Sequence, residues 1–504
     1  MQRAGGILLH PTSLPGPWPI GDLGAQAFSF VDFLAKAGQG VWQVLPLGPT
    51  GYGHSPYNTL SAFAGNTALI DLQQLVDCKD LDQAQVEAAV NDCPGHGFSQ
   101  AHELKHSLLE TAAENFFQRH SSARFNDFTR FCRGNADWLE EFCLFMALKD
   151  AFHGQTWSDW PAGLRQRHRD EINEWQARLS GQCDLYKYQQ YVFYEQWGKL
   201  KSYANLKGVR IFGDIPIFVA YDSADVWANQ QLFQLDAAGR SIAVAGVPPD
   251  YFSRTGQRWG NPLYNWDAHL AEDFRWWIRR FSHQLQQCDM IRIDHFRGFQ
   301  ACWSIPADEA TAVNGHWVDV PGRKLLEKLQ ALNAQMPIVA EDLGIITPDV
   351  EKLRDDFDLP GMNILQFAFD SGPGNPYLPE NHISNSVVYT GTHDNDTTMG
   401  WWQSLSKGQK DTIRDYLGKR HPEMPWDLIE LAMASKARLC VIPCQDILGL
   451  GKSARFNTPG RATGNWQWQL SGDMLTDDLA RRMRNLAESH HRCPEGDKRV
   501  IDRD

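Results

Sequence analysis

Residues 290–299, MIRIDHFRGF, run from alternating apolar positions into Arg292, Asp294 and His295. The apolar positions predict a buried strand, and the polar positions give that strand an ionisable end. A strand that serves only the core has little reason to end this way, because unpaired buried charge is costly. The pattern is typical of a barrel strand that delivers catalytic groups to its C-terminal rim.

Seven other apolar segments predict strands, and segments with helical periodicity lie among them. The seven are residues 6–10, 41–46, 209–218, 338–344, 362–367, 387–393 and 439–447. The total is eight candidate parallel strands, each followed by a helix, and eight strands close a barrel. We therefore predict a single catalytic (β/α)8 TIM barrel over residues 1–504. A doubly wound open sheet is the alternative, but no Gly-x-Gly-x-x-Gly sequence opens the first helix.

Two long segments interrupt the alternation of strand and helix. Residues 72–183 have helical periodicity, including one helix over 164–179, and predict a mainly helical insertion after the second strand. Residues 220–270 are rich in Trp, Gly, Pro and Asn and predict an aromatic, loop-rich insertion after the third strand.

The composition is that of a soluble globular chain, with 42% hydrophobic and 22% charged residues. Ten scattered cysteines, no signal-peptide pattern and no long apolar run predict a cytoplasmic protein without a membrane span. The net charge of −13 disfavours nucleic acid and acidic membranes as partners. The 19 Trp, 13 Tyr and 26 Phe residues favour a sugar ligand, although a large core would also account for many of them.

Acidic residues stand at the ends of four predicted strands. They are Asp214, Asp294, Glu341 with its neighbour Asp342, and Asp394. Because barrel strands share one C-terminal rim, we expect these side chains to face a common bowl. Each acid alone could instead form an ion pair or cap a helix. A cluster is a stronger indication of a functional site, since neighbouring carboxylates raise one another's pKa and destabilise a fold that does not use them.

Retaining glycoside chemistry requires such a cluster, with one ionised carboxylate as nucleophile and one protonated carboxylic acid as proton donor. Burial and like charge would keep the donor protonated near neutral pH. Arg292 lies two residues before Asp294 on the same strand face, where it would keep Asp294 ionised. His295 and His393 are candidate donors to sugar hydroxyls. Histidines that are hydrogen-bonded at a strand end and touch no substrate are the alternative.

Several motifs resemble those of a known family. RIDH at 292–295, VAED at 339–342 and THDN at 392–395 are similar to regions of the α-amylase clan. Five further stretches resemble the amylomaltases, which are 4-α-glucanotransferases of maltodextrin metabolism. These are GILLHPTSLPG at 6–16, SPYN at 55–58, GQRWGNPLY at 256–264, QDILGLG at 445–451 and NTPG at 457–460. The likeness extends over residues 5–470.

The resemblance implies three catalytic roles: Asp294 as nucleophile, Glu341 as general acid and base, and Asp394 as a transition-state stabiliser that grips sugar hydroxyls. It also implies that eight further residues bind substrate, with Tyr57 stacking on a donor sugar and Trp259 and Asn261 in a loop over the cleft. The eight are Tyr57, Asp214, Trp259, Asn261, Arg292, His295, His393 and Asn465. The family uses no organic cofactor, and the chain offers no clear all-oxygen loop for Ca²⁺.

The leading hypothesis is a 4-α-glucanotransferase that moves α-1,4-glucan segments between maltooligosaccharides through a covalent glycosyl-enzyme. An α-glucan hydrolase with the same acids is the first alternative, and a non-catalytic glucan-binding barrel is the second. A metal-dependent barrel hydrolase is the third. Transfer requires that an acceptor sugar compete with water, and we expect Trp227, Trp259 and Trp266 to supply acceptor platforms.

Overall fold

The computed structural model describes residues 3–93, 98–119, 122–249, 253–461 and 463–494. Its strands form an eight-stranded parallel sheet and a four-stranded antiparallel sheet. In chain order the strands are β1 Ala4–Leu8, β2 Val41–Gln43, β3 Arg210–Pro216, β4 Ala243–Val247, β5 Gln257–Pro262, β6 Met290–Asp294, β7 Ala301–Pro306, β8 His316–Asp319, β9 Ile338–Ala340, β10 Gly361–Ile364, β11 Ser386–Tyr389 and β12 Leu439–Pro443.

The parallel sheet curls into a barrel that is nearly closed. Its strand order is β10-β11-β12-β1-β2-β3-β6-β9, so strands that follow one another within this sheet are neighbours. Between the two end strands, the Ala340 N–H donates to the Pro360 carbonyl over 2.9 Å. The Met362 N–H donates to the carboxylate of Asp342 over 2.8 Å. The (β/α)8 fold predicted from the sequence is therefore confirmed.

Helices surround the barrel. They are α1 Ala25–Lys36, α2 Leu72–Asp77, α3 Gln83–Asn91, α4 Phe98–Phe117, α5 Ala123–Gly134, α6 Ala136–Ala151, α7 Ala162–Arg165, α8 Arg169–Arg178, α9 Ser180–Leu206, α10 Ala224–Ala228, α11 Trp266–Ala271, α12 Arg275–Gln287, α13 Gly322–Leu332, α14 Pro348–Asp356, α15 Thr398–Ser404, α16 Lys407–Leu417, α17 Trp426–Ala434, α18 Cys444–Ile447 and α19 Asp477–Ser489. None of the helices in the described part of the chain is long and apolar enough to cross a membrane.

Two expectations about helices are wrong. The single helix predicted over 164–179 is two helices, α7 and α8, because the backbone turns left-handed at Arg167 with φ of 58°. A helix was also expected after every barrel strand, but β10 and β11 are joined through two short 3-10 turns, Leu365–Phe367 and Pro379–Asn381. Turns of three residues are too short to show a helical period in the sequence.

The antiparallel sheet was not predicted. Its order is β5-β4-β7-β8, and it joins two strands that precede β6 to two strands that follow it. The resemblance implies a loop at Trp259 and Asn261, whereas β5 occupies Gln257–Pro262. The first three residues of β5 are exposed, so the strand lacks the alternation of buried and exposed positions that marks a half-buried strand.

Candidate active site

Strand register places three charged side chains inside the barrel. On β6, Met290 belongs to the apolar cluster of the barrel interior, while Ile291 and Ile293 pack against the surrounding helices. Side chains two residues apart on a strand share a face, so Arg292 and Asp294 face the interior with Met290. On β3, Phe212 lies in the same interior cluster, which places Asp214 on the inner face as well.

Arg292 lies between two carboxylates. Its Nη1 donates to Oδ2 of Asp214 over 2.7 Å, and its Nη2 donates to Oδ1 of Asp294 over 2.9 Å. Burial opposes its charge, but the two carboxylates hold the pKa of Arg292 well above its usual value. Asp214 also accepts the hydroxyl of Tyr57 at 2.7 Å. Its side chain is fully buried, whereas that of Asp294 is 29% exposed, so Asp294 is the acid of this group that a ligand can reach.

Glu341 follows β9 and is held by backbone groups. The N–H of His295 donates to its Oε2 over 2.6 Å, and the N–H of Leu343 donates to its Oε1 over 3.0 Å. His295 has a left-handed backbone with φ of 56°, which turns the chain directly after β6. Burial raises the pKa of Glu341 to about 8; Arg292 opposes this shift and the charge of Asp294 adds to it. This raised pKa favours the protonated carboxylic acid near neutral pH.

Asp394 follows β11 and is held by residues from the segment after β12. Asn457 Nδ2 donates to Oδ1 of Asp394 over 2.6 Å, and Arg455 Nη2 donates to the backbone carbonyl of Asp394 over 2.6 Å. Asp394 Oδ2 lies 3.4 Å from His393 Nε2, and the Asp394 side chain remains 43% exposed. Burial lowers the pKa of His393, so this imidazole is neutral near pH 7.

Aromatic rings line the bowl on two sides. Tyr57 stacks on His393, with ring centroids 5.2 Å apart and an angle of 13° between the planes. The ring of Trp466 lies 6.0 Å from that of Tyr57. On the other side, the rings of Trp259 and His295 are nearly perpendicular with centroids 4.8 Å apart, and Trp259 is 38% exposed. Burial lowers the pKa of His295 to about 4, so it too is neutral.

Two of the predicted substrate-binding residues donate to backbone groups instead of to the acids. Asn261 Nδ2 donates to the carbonyl of Val219 over 2.9 Å. Asn465 Nδ2 donates to the carbonyl of Arg461 over 2.9 Å. Asn261, like Trp259, lies on β5 and not in the loop expected from the sequence.

The expected acceptor platforms need a correction too. Trp227 is completely buried and offers no free ring face, so that expectation is wrong for this residue. Trp266 is half-buried, and its ring stacks on that of Trp277 with centroids 6.3 Å apart. Trp259 is the one of the three that lies beside the acids, through its contact with His295.

Sequence reasoning missed Arg455 and Asn457 as members of the site. The signal available was the NTPG stretch at 457–460, but no local pattern indicates that its first residue contacts Asp394. A small pocket adjoins this contact. Arg455, His10 and Gln445 are among its lining residues. Among the described residues, no group of three or more His, Cys, Asp or Glu side chains is arranged to hold a metal ion.

Comparisons with known proteins agree on one family. The family described as 4-alpha-glucanotransferase matches residues 9–476. The 4-alpha-glucanotransferase of Thermus thermophilus is 48% identical over 500 residues, covering 98% of this chain and 99% of the relative. That of Synechocystis sp. is 48% identical over 496 residues, covering 97% of this chain and 98% of the relative. The solved amylomaltase from Streptococcus agalactiae in complex with acarbose superposes with a TM-score of 0.92 at 35% identity, covering 98% of this chain and all of that one. The chain therefore belongs to the 4-alpha-glucanotransferase family of glycosyl-transferring enzymes.

Proposed function

We propose that this enzyme moves α-1,4-glucan segments from a donor maltodextrin to the 4-hydroxyl of an acceptor glucose or glucan by a retaining double displacement. The observation that carries the proposal is the pairing of two unlike carboxyl groups in one bowl. Asp294 is partly exposed and bonded to a cationic Arg292, while Glu341 has a pKa that desolvation raises to about 8. A retaining mechanism needs this division between an ionised nucleophile and a protonated donor.

Asp294 is the proposed nucleophile. The guanidinium of Arg292 stabilises its carboxylate, and the second carboxylate on that guanidinium, Asp214, is buried away from solvent. Asp294 attacks the anomeric carbon of the donor sugar, and the bond to the departing 4-oxygen breaks. The product of this half is a glycosyl ester on Asp294.

Glu341 is the proposed acid and base. Because its pKa of about 8 keeps it protonated near neutral pH, it transfers its proton to the departing 4-oxygen. It then accepts a proton from the 4-hydroxyl of the acceptor, which attacks the glycosyl ester and releases Asp294. The anomeric configuration is retained because two displacements occur.

The remaining predicted residues are proposed to bind sugar. Asp394 has its Oδ2 near a neutral His393, and both can hydrogen-bond to sugar hydroxyls. His295 Nε2 is buried and has no hydrogen-bond partner among the described residues, so a sugar hydroxyl would satisfy it. Tyr57 orients Asp214 and packs against His393. For Asn261 we propose a contact with sugar through the side-chain oxygen, because its amide nitrogen already donates to a backbone carbonyl. Both ends of the Asn465 amide are bonded to its own segment, with the oxygen accepting the N–H of Thr458 over 2.9 Å, so we propose that Asn465 shapes the backbone that meets the sugar.

Trp259 is the proposed acceptor platform. It lies against His295, whose N–H holds the proposed proton donor Glu341, and the acceptor binds on the side of the cleaved bond that this donor serves. An exposed indole offers a flat apolar face to a sugar ring. The relative from Streptococcus agalactiae was solved in complex with acarbose, which supports the proposal that this chain binds a carbohydrate ligand. Residues 72–183 and 220–270 are proposed insertions of the single barrel domain, and the second of them carries Trp259.

The test separates transfer from hydrolysis. The purified enzyme is incubated with maltotriose, with and without added glucose, and the products are separated by length. Transfer yields glucose together with a ladder of longer maltooligosaccharides, and free glucose as acceptor shortens that ladder. Accumulation of shorter sugars alone would favour the hydrolase and contradict the proposal.

A further inference from the structure

Arg455 and Asn457 hold Asp394 at two points, and we call this pair the Asp394 clamp. Asn457 bonds the carboxylate at Oδ1, and Arg455 bonds the backbone carbonyl of the same residue. Both distances are 2.6 Å. The clamp therefore restrains the main chain and the side chain of Asp394 together.

The clamp is braced within its own segment. Arg455 Nε donates to the carbonyl of Asn457 over 2.7 Å, so the two residues are also bonded to each other. The carbonyl of Phe456, which lies between them, accepts the N–H of Trp466 at 2.8 Å. The ring of Trp466 in turn lies 6.2 Å from that of His393. The segment thus contacts both members of the His393–Asp394 pair.

This arrangement assigns different tasks to the two oxygens of Asp394. Oδ1 is occupied by Asn457, whereas Oδ2 lies 3.4 Å from His393 and is the oxygen left for a ligand. Without Asn457, the half-exposed side chain could rotate away from the bowl. An amide donor fixes the orientation without neutralising the charge of the carboxylate, which an arginine or lysine in its place would do.

We propose that Arg455 and Asn457 are positioning residues for the transfer reaction, which hold Asp394 so that Oδ2 faces the sugar at the cleaved bond. The inference rests on the proposed function, because it gives Asp394 a sugar-gripping role. Hydrogen bonds to sugar hydroxyls strengthen in the transition state of glycosyl transfer, and a misplaced group costs rate more than ground-state binding. The clamp should therefore affect kcat more than KM.

The experiment is a double-mutant cycle between Asn457→Ala and Asp394→Asn. The rate of glucose release from maltotriose is measured for each variant. Lys452→Ala, on the exposed turn before the clamp, is the matched control. We expect Asn457→Ala to lower kcat about 10- to 100-fold with a small change in KM, the loss typical of a misplaced catalytic group. The Asp394→Asn background is assayed at higher enzyme concentration. There, the same substitution should lower kcat by less than about two-fold, because the effects of substituting residues that act as one unit do not add.

Each other outcome is decisive. Equal losses in both backgrounds would mean that Asn457 acts on the fold and not through Asp394, which overturns the inference. Unchanged kcat in Asn457→Ala, with a normal ladder from the wild type, overturns the inference and leaves the proposed function standing. A wild-type enzyme without a ladder contradicts the proposed function itself. If Asn457→Ala does not fold, as judged by circular dichroism, Asn457→Leu replaces it in the cycle, since leucine is close to asparagine in size, has no donor and adds no charge beside Asp394.

Discussion

Arg292 donates a hydrogen bond from Nη2 to Oδ1 of Asp294 across 2.9 Å, and both residues belong to the same strand. Their separation of two positions puts them on one face of β6, so the strand supplies a carboxylate together with the cation that stabilises it. The second carboxylate on that guanidinium, Asp214, comes from the neighbouring strand β3. The register between two strands thus builds the centre of the site.

Removing either proposed catalytic acid should abolish transfer. Asp294→Ala leaves no nucleophile and Glu341→Gln leaves no acid, so each should lower kcat by about 10³-fold or more. Product ladders from maltotriose measure the loss, and circular dichroism checks that the fold is retained. Near-normal turnover in either purified variant would refute the assigned roles.

The activity should fall as the pH rises through about 8. In the proposed mechanism, Glu341 carries below that pH the proton that the departing oxygen needs, and above it the carboxyl ionises. The check is kcat/KM measured from about pH 5 to 10 in the transfer assay, where the basic limb reports the acid of the free enzyme. Constant activity up to pH 10 would show that Glu341 is not the proton donor.

Glu341 should also make stability depend on pH. Its pKa is raised from an ordinary 4.5 to about 8 in the folded protein, so its stabilising contribution is fully present below 4.5 and is lost as the pH rises through 8. The free energy of unfolding of Glu341→Gln, relative to the wild type, should therefore increase with pH over this window. Urea unfolding at a series of pH values measures it, and a constant difference between the two proteins would contradict the raised pKa.

Trp259→Ala should shift the products from transfer towards hydrolysis. Loss of an aromatic contact worth about 1 kcal/mol would weaken acceptor binding roughly five-fold, and water would capture more of the intermediate. The measurement is the ratio of longer oligosaccharides to total glucose released. Trp259→Phe, which keeps an aromatic face, serves as the control, and an unchanged ratio in the alanine variant would exclude Trp259 as the platform.

Asp342 should be structural although it follows the proposed acid Glu341. It is buried, pairs with Arg354, and accepts the N–H of Met362 across the gap between β9 and β10. Asp342→Ala leaves Arg354 without its buried partner and should lower the free energy of unfolding by about 3 kcal/mol. Asp355 pairs with the same arginine from an exposed position, so Asp355→Ala should lower the free energy of unfolding by less than about 1 kcal/mol. Equal losses in urea unfolding would contradict the role given to the buried pair.

The local sequence pattern was sufficient to predict the barrel and the acids on its rim. Apolar segments of strand length recur eight times, and a side-chain period of two decides which residues share the inner face. Arg292 and Asp294 could therefore be assigned to one site from their spacing alone. The antiparallel sheet escaped prediction because it pairs strands that lie on both sides of β6 in the chain, and because its outer strands β5 and β8 are largely exposed and carry no buried-strand pattern.

By itself the sequence determined the eight strands and the chemical groups at their ends, because periodicity and residue type act over a few neighbouring positions. Tertiary structure alone decided how those groups are used. Asn457 meets Asp394 across 63 positions, and that contact depends on the path of the chain after β12. The raised pKa of Glu341 likewise follows from burial and from a carboxylate on another strand, and neither can be read from the residues beside it.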